Sequence, residues 1–126
     1  MTRQAVYARP GAWVAAAGAS AVLLGAFGAH ALRTVLDQRS MEIWHTSVEY
    51  HFWHALALAL AVALGRGRSG RVARAAYGIG ILLFCGSLYA LALGAPRWIG
   101  IVTPLGGLAF VVGWVALGLS LHSPED

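Results

Sequence analysis

Four long apolar stretches joined by short polar links constrain this chain more than any other feature of it. They cover approximately residues 12–32, 45–65, 73–93 and 99–121. A helix of about 20 residues rises roughly 30 Å, the thickness of the hydrocarbon core of a bilayer. From Trp13 to Leu32 the only polar side chains are Ser20 and His30. In the second stretch, Ala55–Leu64 is too short to cross, so the span extends back toward Trp44 and draws Glu49, His51 and His54 toward the membrane. Composition agrees: 59% of the residues are hydrophobic and 11% charged, against about 25% charged in ordinary soluble domains. The expected fold is all-α, a single domain over residues 1–126 forming an integral membrane four-helix up-down bundle, because short links make antiparallel neighbours.

Gly65-Arg66-Gly67-Arg68-Ser69-Gly70 reads as a flexible turn, and Gly94-Ala95-Pro96-Arg97 as another. Thr103-Pro104 carries a helix-start signal, a capping hydroxyl followed by proline in the first turn. The fourth helix is therefore expected to begin near Pro104, with Trp98–Val102 lying shallow. Orientation follows from the arginines. Arg3, Arg9, Arg66, Arg68, Arg71 and Arg74 fall on one side, and Arg33, Arg39 and Arg97 on the other. The arginine-rich side is the cytoplasmic one by the positive-inside rule, so both termini are expected in the cytoplasm. A cleaved signal peptide ending near Ala29-His30-Ala31 is the competing reading, but the apolar stretch is longer than a typical signal core.

The net charge of +4 comes from nine basic residues, all arginine. They crowd one link instead of forming a basic stripe with interleaved aromatics, so a nucleic-acid partner is not expected. Cys85 is the single cysteine; it has no partner for an internal disulfide and reads as a small packing residue. No nucleophile elbow surrounds Ser20, Ser47, Ser69 or Ser87, and the acids other than Glu49 lie near water, so enzymatic activity is not expected.

Lipid is as apolar as leucine, so helices in a bilayer associate by close packing. Ala17, Ala21, Gly25 and Ala29 recur at every fourth position of the first span, which places them on one face. Ala76 with Gly80, and Gly86, Ala90 and Gly94, make similar ridges on the third; Ala109 and Gly113 sit on the fourth. Leucine at Gly25 or Gly86 should then disturb assembly. Trp13, Trp44, Tyr77 and Trp98 fall near the predicted membrane edges, where aromatic belts lie.

Ionisable side chains inside a span usually face the bundle interior. Counting about 1.5 Å per residue from the arginine-rich edge brings His30, Glu49, Tyr89 and Thr103 to one level near the opposite leaflet. His54 falls nearer the midplane, level with Cys85. The plainest reading is structural: these side chains hydrogen-bond across helices and fix their register, in a structural or accessory membrane protein without a cofactor. Its partners would be the bilayer and possible copies of itself or another membrane protein. The alternative is a small proton- or ion-coupled transporter using Glu49, His30 and His54. Haem or metal binding through His51 and His54, three apart on the second helix, is the third.

The chain also resembles the YgdD-like bacterial inner-membrane proteins, the family of domain of unknown function 423; eukaryotic transmembrane protein 256 is similar. The resemblance covers nearly everything after the first ten residues. It rests on Gly25-Ala26-Phe27-Gly28-Ala29-His30, on Trp44, and on Glu49-Tyr50 with His54-Ala55-Leu56. It continues through Leu83-Phe84-Cys85-Gly86-Ser87-Leu88-Tyr89, Thr103-Pro104-Leu105-Gly106-Gly107 and Gly113-Trp114. Cys85 stands where serine is expected in this family. The resemblance implies four spans, cytoplasmic termini and an uncleaved first helix, and it brings no activity, ligand or catalytic residue.

Overall fold

A computed structural model describes residues 3–122, with side chains from residue 9 onward. The described residues form helices and turns without strands: α1 (Arg3–His30), α2 (Gln38–Leu64), α3 (Gly67–Gly80), a π-helical turn (Ile81–Cys85), α4 (Gly86–Ala92), a 3₁₀ turn (Arg97–Ile101) and α5 (Val102–His122). With the π turn and the 3₁₀ turn counted into their helices, four helices are long and apolar enough to cross a membrane.

The helices start before the apolar stretches do. Asp37 caps α2: its carboxylate accepts the amide of Ser40 at 2.8 Å, filling one of the orphan donors of the first turn. The glycine–arginine link is shorter than its composition predicts. Only Gly65 and Arg66 stand outside helices there, and Gly67–Gly70 opens α3. This link is clipped to the far end of α5, where the Arg66 amide donates to Ser120 Oγ and the Ser120 hydroxyl donates to the Arg66 carbonyl. Gly94 has φ +101, a conformation open to glycine and costly for residues with a Cβ. At the start of α5 the sequence expectation needs correcting. Thr103 lies inside the first turn, one residue past Val102, and its hydroxyl pairs with Ser87 at 2.6 Å instead of capping.

The core lies between α2, α3 and α5, around Leu58, Tyr77, Cys85, Phe110 and Leu117. α3 packs along α5, α2 rests against both, and α1 is joined chiefly to α2. The chain is thus a three-helix core with a fourth helix laid on one side. Small residues decide where helices touch. A Cβ on Gly80 would run into the Phe110 ring, one on Gly113 into the Tyr77 ring and one on Gly28 into the Trp44 indole. On α1, Ala21 is fully buried, Gly25 faces Val48, and Ala29 is exposed. Gly86 behaves differently from its sequence expectation: it is exposed, and a Cβ there meets nothing of this chain.

Two of the four presumed edge aromatics are core residues. Trp44 is 2% exposed and donates its indole N–H to the Leu24 carbonyl at 3.0 Å. Tyr77 is fully buried. Both rings fill gaps above glycines, and a depth count alone does not show which way a ring faces. Trp13 and Trp98 are exposed.

Candidate functional site

The polar side chains that the bundle brings together at depth are Ser20, Ser47, His51, His54, Ser87, Tyr89 and Thr103. His51 is their centre. One ring nitrogen, Nε2, lies 3.0 Å from Ser20 Oγ on α1, and the other, Nδ1, 2.8 Å from the Tyr89 hydroxyl on α4. Ser20 gives its single proton to the Ala17 carbonyl at 3.1 Å. Its oxygen therefore accepts from Nε2–H, and Nδ1 accepts from Tyr89 O–H. The result is a directed chain, Tyr89 to His51 to Ser20, that joins three helices through a neutral imidazole.

His54, one turn further along α2, is committed elsewhere. Trp114 N–H donates to its Nε2 at 3.1 Å, and Nδ1 lies 2.8 Å from the Tyr50 carbonyl. An indole N–H is only a donor and a carbonyl only an acceptor. The ring is therefore neutral, with its proton on Nδ1. It stacks on Phe110 with centroids 3.5 Å apart and planes 11° from parallel. His51 and His54 thus serve different neighbours, α1 and α4 in one case and α5 in the other. Neighbouring positions on a helix do not make them a joint ligand pair. Among the described residues no three His, Cys, Asp or Glu side chains come together as a metal set would.

The π turn supplies two more contacts. Ser47 donates to the Cys85 carbonyl at 2.8 Å, and Ser87 to the Phe84 carbonyl at 3.0 Å. A π turn disrupts the regular i→i−4 ladder and frees carbonyls for such partners. Within this turn, Phe84 approaches Gly106 so closely that a Cβ there would strike its backbone nitrogen. The sequence carries this site in the pairing of Phe84-Cys85 with Gly106-Gly107, but no periodicity announces a π turn.

Of the residues expected to share one polar layer, Tyr89 and Thr103 join the buried contacts, through His51 and Ser87 respectively. His54 forms its own stack with α5. His30 and Glu49 are exposed and stand apart from the rest. Equal depth did not make them neighbours because α2 turns Glu49 away from the face that carries Ser47, His51 and His54. His51 and Ser47, which the depth count passed over, do the connecting; four-residue spacing on the buried face of α2 was the available signal.

Residues 24–107, which contain most of this network, match the family described as "Protein of unknown function (DUF423)". The chain belongs to the DUF423 family. A UPF0382 membrane protein of Haemophilus influenzae is 45% identical over 106 residues, covering 82% of this chain and 86% of the relative. The UPF0382 membrane protein YwdK of Bacillus subtilis is 42% identical over 101 residues, 77% of this chain and 82% of the relative. The UPF0382 inner membrane protein YgdD of Escherichia coli is 40% identical over 99 residues, 76% of each chain. No solved structure matches this chain. The DUF423 protein described here is a membrane protein, and its family assigns it no chemistry.

Proposed function

We propose that this chain is an accessory membrane protein that acts through its packed surfaces and catalyses no reaction. The observation that carries this reading is the closure of its buried histidines and serines on other groups of the bundle, the Tyr77 hydroxyl being the buried side-chain group among the described residues that lacks a partner. Both ring nitrogens of His51 and of His54 are engaged, and each contact ties one helix to another or to its own backbone. Such contacts hold register in a bilayer, where partners in water are missing. The exposed faces of Gly86 and Gly118, where a Cβ meets nothing, leave room for a second copy or another membrane protein. We place the chain in the bacterial inner membrane with both termini cytoplasmic, on the arginine distribution.

Reconstitution into liposomes with an internal pH dye tests the role. Proton flux equal to that of protein-free vesicles under a pH gradient supports it; flux that disappears in His51→Phe overturns it. Reporter fusions at both ends test orientation, with activity expected only from cytoplasmic reporters.

The second reading, proton transfer, has one observation in its favour: the unbroken hydrogen-bond chain Tyr89–His51–Ser20 across three helices. It moves the relay from His30, Glu49 and His54 to His51. Haem or metal binding requires His51 and His54 to abandon separate partners, and a visible spectrum of the purified protein tests it.

A further inference from the structure

One trough of the bundle is left open by the chain itself. α1 leans on α2 and meets α3 chiefly where Trp13 reaches Gly78; a Cβ on Gly78 would lie 3.3 Å from that indole. Between α1 and α3 runs a groove in two sections, a mouth of about 240 Å³ and a deeper part of about 420 Å³. Trp13 and Leu58 border both sections, which adjoin at these two side chains. Arg9 and Arg74 border the mouth. The deeper part is apolar, walled by Ala16, Ile79 and Leu82, and ends at Ser20.

The dimensions and the charge identify an occupant. Between Arg9 and Ser20 the helix rises about 16 Å, against roughly 15 Å for half of a bilayer's hydrocarbon core. The groove therefore runs from one membrane edge to the midplane, the course of an acyl chain in a single leaflet. Its charged end carries two guanidinium groups, which match phosphate oxygens in a planar, bidentate fashion. The described acids Asp37, Glu42 and Glu49 lie at the cap and in the first half of α2, toward the opposite end of the bundle. A parallel second copy would bring its own arginines to the same level, where like charges repel.

We propose that this groove binds one anionic glycerophospholipid, with its phosphate between Arg9 and Arg74 and an acyl chain lying along Leu58 toward Ser20. A basic pocket between helices at a membrane edge favours anionic headgroups. A zwitterionic headgroup brings its own ammonium to the arginines and loses that advantage. The site does not depend on the accessory role; a transporter could carry it equally.

Native mass spectrometry of the full chain in detergent, with equimolar phosphatidylglycerol and phosphatidylcholine of identical chains, tests it. One retained phosphatidylglycerol per chain is expected. Arg9→Gln with Arg74→Gln should weaken retention roughly 30-fold, about fivefold for each arginine near the headgroup. Arg33→Gln with Arg97→Gln removes the same charge at the other end and should leave retention unchanged. Ala16→Phe keeps every charge but fills the groove, and should also release the lipid. Equal retention of both lipids, equal loss in the two double variants, or unchanged binding in Ala16→Phe overturns the proposal. So does a dimer that excludes lipid from the groove. Circular dichroism of each variant shows that it is folded.

Discussion

At Gly106 a single added methyl group sets one backbone against another. The Cβ would meet the Phe84 nitrogen at the π turn, and neither side is a flexible side-chain end. Gly106→Ala should therefore cost about 1–3 kcal/mol, the usual range for overpacking, read as a lower thermal midpoint in detergent. Gly86→Ala is the contrast: its Cβ meets nothing, and alanine favours a helix over glycine by up to about 1 kcal/mol, so the midpoint should hold or rise. His54 allows a finer separation. His54→Phe keeps an aromatic ring against Phe110 but strands the Trp114 N–H. It should cost about 0.6–2 kcal/mol, the range for hydrogen bonds between membrane helices. His54→Ala loses the stack as well and should cost more in the same thermal assay.

Among the elements, α2 organises the rest. One of its faces sends Trp44 to α1, Ser47 to the π turn, His51 to α1 and α4, and His54 to α5. The start of this helix depends on a titratable cap. The backbone N–H of Ser40, and after it the Ser40 hydroxyl, hold the Asp37 carboxyl below its ordinary value of 3.8. A folded-state pKa lowered in this way gives stability that is fully present above the ordinary value. That stability is lost as pH falls through the lowered one. Amide exchange in the first turn of α2 should then be insensitive to pH-induced fraying above about pH 4 and 5, after correction for intrinsic exchange rates. It should become faster in strongly acidic buffer. Asp37→Ala should show the fast exchange at every pH, and Asp37→Asn should restore most of the protection, because asparagine also caps.

At the scale of the whole molecule, the uneven packing implies uneven stability. α1 is held by α2, whereas α2, α3 and α5 share the core. Elements with fewer buried contacts open at lower free energy. Hydrogen exchange in detergent should release α1 before α2, α3 and α5. Gly28→Leu, which forces the Trp44 indole from its place against α1, should widen that gap while leaving the α3–α5 pair protected. Uniform exchange across all helices would show that α1 belongs to the same cooperative unit.

Hydropathy alone determined that this chain is helical and lies in a bilayer, because each stretch long enough to cross hydrocarbon must close its own backbone hydrogen bonds. It also placed Tyr89 and Thr103 within the membrane and marked small residues such as Gly80 and Gly113 as packing positions. The direction in which each side chain faces was decided by tertiary structure. Glu49 and His51 are two residues apart, yet one is exposed and the other buried against Ser20 and Tyr89. Trp44 and Trp98 both sit near a span end, yet only Trp98 is exposed. Where every face of a helix is apolar, periodicity no longer separates inside from outside. Only contact with the neighbouring helices breaks that symmetry.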